Sequence, residues 1–256
     1  MSFRGLLLDL EGVLYQAGQP ITGAPKAVRQ LTDAGLQIRY LTNTTTQPRR
    51  AIVERMSALG FSVDVAHVFT PAAAANRLMA RSNIRRVHLA APATLREDFS
   101  GFALVDQGAD AVVMGDLYKD FTWDRLNDLF GMLREGALLI ALHRNRYCRR
   151  ADGIGLDLGP FVAALEYAGD LQADVVGKPA EAFFALALDD MELAARDVVM
   201  VGDDLEVDIG GAHHAGLRAI QVETGKYTAH DRTHPTVHPD LRITSVAGLP
   251  AALRTM

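Results

Sequence analysis

"LLLDLEGVLY", Leu6 to Tyr15, is an apolar run that delivers an acid at Asp9, a second at Glu11 and then a glycine at Gly12. Three consecutive leucines suit a strand buried on both faces, and two carboxylates at the end of such a strand need a reason. Working outward, the run is followed by a helical segment from about Pro25 to Ala34, with Val28 and Leu31 on one face and Gly35 as its stop. "QIRYLTN" reads as the next strand. A second helix starts at Pro48, carries Ile52, Val53, Met56 and Leu59 at helical spacing, and ends at Gly60.

The alternation returns after residue 170 with "ADVVG", a helix around "EAFFALALDDM", the strand "DVVMVGDD", a helix through "IGGAHHAG" and the strand "LRAIQVETG". Strands and helices in this order predict a parallel sheet covered by helices on both faces. Between the two blocks, from roughly Pro71 to Asp174, lie "RVHLAAP", "ADAVVMGD", a helix with Leu126, Leu129, Met132 and Leu133, "ALLIALH" and "FVAALEYAG". Neither flanking block is a complete sheet alone. The expected fold is therefore α/β: a doubly wound, Rossmann-like parallel-sheet core, residues 1–71 and 175–256, with a large α/β cap domain, 72–174, inserted into it and a cleft between them.

Composition narrows the partners. The 256 residues are 49% hydrophobic, enough for a sizeable core, and 31 acidic against 26 basic residues give a net charge of -5. Nothing global attracts nucleic acid or an anionic membrane, so a small molecule is the expected partner. One cysteine, Cys148, cannot form an internal disulfide, and neither a signal-like leader nor a long apolar span is present, so a cytoplasmic location is expected.

In open parallel sheets, ligands gather outside the carboxyl ends of the strands. The first core strand ends in Asp9, Leu10, Glu11 and Gly12; the second in Thr42, Asn43 and Thr44; a later one in Gly177, Lys178 and Pro179; another in Gly202, Asp203 and Asp204, with Asp208 close behind. Several carboxylates at one edge repel one another, and a hard divalent cation with oxygen ligands relieves the repulsion; Mg²⁺ meets that demand. A lysine, hydroxyls and an amide at the same rim supply donors for an anion with several oxygens, phosphate above all. One acid of the Asp9–Glu11 pair can attack phosphorus. The other, two residues on and so on the same side of an extended chain, can handle the proton of the leaving group and then of water.

"DLEGVLY", "YLTNTTT", "VVGKP" and "VMVGDDLEVDIGGA", in this order and with a long insertion between the second and third, resemble the haloacid dehalogenase superfamily of phosphohydrolases over nearly the whole chain. "GPFVAALEYA" before "VVGKPAEAFF" is similar to subfamily IIA, the branch whose large α/β cap lies in that insertion. The resemblance implies a Mg²⁺-dependent phosphohydrolase of a small phosphorylated metabolite, or of pyrophosphate, working through an aspartyl-phosphate. Asp9 would be the nucleophile. Thr42 and the amide of Asn43, with Thr44 beside them, would hold the phosphoryl oxygens, and Lys178 would neutralise charge. The Asp9 carboxylate, the backbone carbonyl of Glu11 and Asp203 would bind the metal, with Asp208 and Asp204 at or next to it, orienting water and Lys178.

The family's phosphatases usually carry aspartate where this chain has Glu11. Metal binding through a backbone carbonyl survives that change, but the proton role depends on geometry, since an error of about 1 Å in a reacting group can cost on the order of 10²-fold in rate. Two expectations follow: a phosphatase, slow or with an adjusted loop, or a phosphate- and Mg²⁺-binding regulatory protein that lost turnover. A receiver domain, which also pairs acids, a threonine and a lysine, is disfavoured by the chain length and the insertion. In "HRNRYCRR", His143 to Arg150, a solvated loop competes with a specificity role for Arg144, Arg146 and, further on, Asp157, because the resembling enzymes select the leaving group with this loop. Caps in that family often pair, so a homodimer through the cap is one expected assembly. His213 and His214 are read as packed or solvated, since magnesium prefers oxygen.

Overall fold

The computed structural model describes residues 3–150 and 153–256. The chain opens with β1 (Gly5–Asp9), a small hairpin of β2 (Tyr15–Gln16) and β3 (Gln19–Pro20), α1 (Ala24–Asp33), β4 (Gln37–Leu41), α2 (Arg49–Ala58) and β5 (Val68–Phe69). It continues through α3 (Pro71–Arg81), β6 (Arg86–Ala90), β7 (Ala103–Leu104), β8 (Ala111–Met114), α4 (Trp123–Arg134) and β9 (Leu138–Ala141). A second hairpin, β10 (Tyr147–Arg150) with β11 (Gly153–Leu156), leads to α5 (Leu158–Gly169) and β12 (Asp174–Val175). The last stretch holds α6 (Glu181–Met191), β13 (Val198–Gly202), α7 (Gly211–His214), β14 (Arg218–Val222), β15 (Leu241–Ile243) and α8 (Leu249–Ala252).

Two compact units result. One comprises the chain's start to Thr42, Arg49–Phe69 and Lys178–Met256; the other comprises Asn43–Pro48 and Thr70–Gly177. In the first unit a six-stranded sheet runs β15-β14-β13-β1-β4-β5, parallel throughout, with β1 paired to both β13 and β4. Consecutive side chains of a strand point to opposite faces, so Leu6 and Leu8 join Val28, Leu31, Ile52 and Met56 in one core while Leu7 is buried on the other side. Gly35 and Gly60, at φ 83 and 87, turn the chain out of α1 and α2 in the left-handed conformation that glycine adopts without strain.

The second unit is built on a five-stranded sheet, β12-β9-β8-β6-β7, also parallel. Val112, Met114, Leu139 and Ala141 of this sheet pack against Leu129, Met132 and Leu133 of α4 and Val162 and Leu165 of α5. "ADVVG", expected among the core strands, belongs here instead: β12 pairs with β9 through Asp174↔Ile140 and Val175↔Ala141. Val175 packs against the same apolar cluster as α4 and α5, and a strand of two paired residues carries too little pattern to show in sequence which sheet it joins. Among the described residues, no helix is long and apolar enough to cross a membrane.

The Leu6 side chain is fully enclosed in the central strand of the first unit. Leu6→Ala is expected to lower stability by about 2–5 kcal/mol, a transfer loss plus the cost of the cavity. Leu138→Ala, at a half-exposed position on β9, should cost under about 1 kcal/mol. Urea denaturation of both variants beside the wild type checks the difference.

Candidate active site

Parallel register fixes which residues share an edge. Asp9 lies opposite Leu41, and Leu8 opposite Val201, so the chain leaves β1 at Asp9, β4 at Thr42 and β13 at Asp203 on one side of the sheet. Lys178, the first residue after the second unit ends, brings the cation. Its ammonium donates to Asp9 Oδ1 at 2.5 Å and to Asp208 Oδ1 at 2.7 Å, and all three side chains are buried. One carboxylate oxygen from each of Asp9, Asp203 and Asp208 falls within 4.8 Å of the others.

Three buried carboxylates face one buried ammonium, so negative charge is in excess. Burial, against the pull of Lys178 and reinforced by Asp208 and Asp203, pushes Asp9 from its ordinary 3.8 up to about 7. Burial raises Asp203 to about 6, although the backbone N–H of Lys226 opposes it. Burial works against the charge of Lys178 too, but Asp208 and Asp9 outweigh it and hold the ammonium above the usual lysine range. An all-oxygen donor set with surplus negative charge fits a hard divalent cation such as Mg²⁺.

The loop after β13 is shaped by its own acids. Asp204 accepts from the N–H groups of Glu206 and Val207 at 3.2 and 3.0 Å, capping the wide π-type turn Leu205–Gly210 that runs into α7. The "IGGAHHAG" helix is thus one short turn of α-helix, Gly211–His214, preceded by this wider coil. Burial alone would raise Asp204, yet the Val207 N–H, Lys226 and the Glu206 N–H bring it below the usual carboxylate range. Asp208 Oδ2 accepts from the Asp204 N–H at 3.2 Å, so Asp208 holds both Lys178 and the loop.

The other residues singled out in the sequence are placed differently. Glu11 is exposed, and its Oε1 accepts from the N–H of Ala17, at the turn between β2 and β3, at 3.1 Å. Thr42 follows β4 in the first unit, whereas Asn43 and Thr44 fall in the segment that groups with the second; all three are half-buried. Within the second unit, Arg144 pairs with Glu166 of α5, whose other oxygen takes the Ala173 N–H at 3.0 Å. Arg146 is exposed, and the side chains of Arg149 and Arg150 lie outside the described residues. Asp157 caps α5 through the Leu158 N–H at 2.9 Å and lies 3.8 Å from the buried His143. His213 bonds Asp240 at 3.0 Å.

Missing from the constellation read off the sequence is the end of the last strand-like run. Thr224 Oγ1 donates to the Gly12 carbonyl at 2.5 Å, the Lys226 N–H donates to Asp203 Oδ2 at 2.7 Å, and Lys226 Nζ pairs with Asp204 at 3.0 Å. Buried Gln221 on β14 donates to the Asp203 carbonyl at 3.4 Å and to Asp231 at 2.6 Å. The signal was present: "VETGKYT" ends a strand parallel and adjacent to β13, and so opens at the same edge.

Two family models match: haloacid dehalogenase-like hydrolase over residues 6–104 and HAD-hydrolase-like over 175–249. The chain is 40% identical to phospholysine phosphohistidine inorganic pyrophosphate phosphatase of Danio rerio, across 99% of this chain and 95% of that protein. It is also 40% identical to the human haloacid dehalogenase-like hydrolase domain-containing protein 2, across 90% and 88%. Among solved structures, the p-nitrophenyl phosphatase of Archaeoglobus fulgidus superposes with a TM-score of 0.88 at 26% identity, covering 98% of this chain and 99% of that one. NagD of E. coli K-12 superposes at 0.85 and 25% identity, covering 96% and 98%. The chain belongs to the haloacid dehalogenase-like hydrolases, among the phosphatases of subfamily IIA.

Proposed function

We propose that this phosphatase is Mg²⁺-dependent, takes a small phosphorylated compound or pyrophosphate, and works through an aspartyl-phosphate on Asp9. The observation that carries the reading is the buried Lys178 ammonium held between Asp9 and Asp208, with Asp203 in the same cluster. The names of the zebrafish and Archaeoglobus proteins add pyrophosphate, phosphoamino acids and p-nitrophenyl phosphate as classes to test.

Asp9, Asp203 and Asp208 would hold the metal directly or through water, the backbone carbonyl of Glu11 completing the set. Bound there, Mg²⁺ would supply positive charge against the phosphoryl oxygens and keep Asp9 ionised. The free Asp9 oxygen attacks phosphorus, forming the Asp9 O–P bond as the P–O bond to the leaving group breaks. Lys178 stabilises charge on nucleophile and phosphoryl group, and Thr42 donates to a phosphoryl oxygen. Glu11, as the acid, gives its proton to the leaving oxygen. As the base, it then takes one from the water that hydrolyses the aspartyl-phosphate, returning Asp9 and releasing phosphate.

With Mg²⁺ present, the wild type should hydrolyse p-nitrophenyl phosphate or pyrophosphate, chelator should stop it, and Asp9→Asn should leave no measurable turnover. A phosphate-release assay decides, and activity surviving in Asp9→Asn would end the aspartyl-phosphate route. In the same assay Glu11→Gln should lose on the order of 10²-fold or more in kcat, whereas Glu11→Asp should stay active.

Lys178→Met isolates the charge balance. A carboxyl whose folded pKa lies above its unfolded one keeps protons that the unfolded chain releases, so stability falls as pH rises from about 4 to about 7 for Asp9 and to about 6 for Asp203. Removing the lysine pushes those values up further. The metal-free variant should therefore lose more stability relative to wild type at pH 8 than at pH 5, which urea denaturation in chelator would show.

A further inference from the structure

We propose that the segment Thr224–Lys226 is a strap that positions the metal-binding carboxylate of Asp203 against the turn after Asp9, with Thr224 as a positioning residue for the reaction. The inference rests on the reading of Asp203 as a metal ligand. It begins in the sheet: β14 lies beside β13 with Gln221 opposite Gly202, so the chain leaving β14 passes directly alongside Asp203.

Three contacts make the strap. Thr224 Oγ1 donates to the carbonyl of Gly12, the residue after Glu11, at 2.5 Å. The backbone N–H of Lys226 donates to Asp203 Oδ2 at 2.7 Å. Lys226 Nζ reaches Asp204 Oδ2 at 3.0 Å, but that ammonium is 70% exposed and adds little on its own. The hydroxyl and the main-chain N–H are the working parts, since both join groups that are partly or wholly withdrawn from water.

Close approach explains the residues between them. Gly12 has φ 86 and Gly225 φ 66, and the two backbones face each other across the Asp203 carboxylate. A Cβ on Gly12 would come within 2.1 Å of Asp203 Oδ2 and 3.0 Å of Gly225 Cα; one on Gly225 would come within 2.0 Å of the same oxygen and 2.6 Å of Gly12 Cα. Both φ values and both clearances require glycine, so one carboxylate oxygen is lodged in a slot of main chain. The slot and the Lys226 N–H together hold this Oδ2, on a carboxylate that clusters with those of Asp9 and Asp208. The same segment, through Thr224, sets the carbonyl-bearing turn that follows Glu11. Groups that orient metal ligands in this way typically alter affinity or activity by 10–100-fold when removed.

Thr224→Val keeps the shape and removes the donor; Thr224→Ser keeps the donor. Three quantities are measured on the full chain: Mg²⁺ affinity by titration calorimetry without substrate, kcat and KM for p-nitrophenyl phosphate at saturating Mg²⁺, and the urea midpoint. Thr224→Val is expected to weaken Mg²⁺ binding and lower kcat by about tenfold or more each, with KM changed less than about threefold, and Thr224→Ser to return both toward wild type. A folded Thr224→Val with wild-type Mg²⁺ affinity and kcat would overturn the strap while leaving the phosphatase reading intact. Equal losses in Val and Ser variants, tracking the urea midpoint, would also overturn it. Should Thr224→Val fail to fold, Thr224→Ala removes the same donor with less bulk and carries the same expectations. A wild type that neither binds Mg²⁺ nor turns over would overturn the functional reading, and the strap with it.

Discussion

At the first unit's sheet edge, the pairing of Asp9 with Asp208 depends on one buried cation. Asp9 and Asp208 are carried in by different parts of the chain, and each alone would be an uncompensated charge in a low-dielectric setting, where removing one partner of a buried pair costs several kcal/mol. Lys178 reaches both at hydrogen-bond distance, and Asp208 spends its remaining oxygen on the Asp204 N–H. The lysine therefore does more than balance charge. It ties the end of β1 to the loop after β13 and, through Asp208, sets the start of the wide turn from Leu205 to Gly210. One ammonium among three carboxylates leaves the cluster short of positive charge; burial moves Asp9 and Asp203 upward, and the neighbouring carboxylates add to it. Surplus negative charge on an all-oxygen donor set is what a hard divalent cation would offset.

How much of this was readable follows from which features are local. The end of β1 was readable because three leucines followed by an acid describe a buried strand and its exit, and parallel pairing then forces other strand ends to the same edge. Asp9, Asp203 and Asp208 converge for that reason. Lys178 converges too, although the strand before it pairs in the second unit's sheet and not in the first's. Its position at the site depends on the connection Gly177–Lys178 and not on which sheet Asp174 and Val175 join. A two-residue strand has no periodicity, so tertiary packing alone decides its partner. The pairing of Arg144 with Glu166 was equally hidden, because residues 22 apart in sequence meet only once α5 has packed. The strap escaped because threonine, glycine and lysine after a strand read as an ordinary turn. Only the closeness of Gly12 and Gly225 shows that the turn is constrained by something beyond itself.

Glu11 is where local chemistry and position have to be separated. Its carboxylate is exposed and accepts one N–H from Ala17, a residue held at φ 49 beside Gly18 at φ 74 in the tight turn of the β2–β3 hairpin. A single hydrogen bond at the surface contributes about 1 kcal/mol net, so leaving it to meet a substrate oxygen costs at most about tenfold in population. That is small beside the 10²–10⁴-fold that a well-placed general acid supplies. The reference pKa values of Asp and Glu, ~3.9 and ~4.3, differ by too little to decide anything. What remains is reach. The additional methylene moves the carboxyl relative to a backbone that the Thr224 hydroxyl fixes one residue later, at the Gly12 carbonyl. Against a backbone tied at Gly12, the longer side chain must fold its extra length into a rotamer to reach the point a shorter acid would reach. The hydrogen bond that holds the Glu11 carboxylate runs to the β2–β3 hairpin and involves none of Asp9, Lys178 or Asp203.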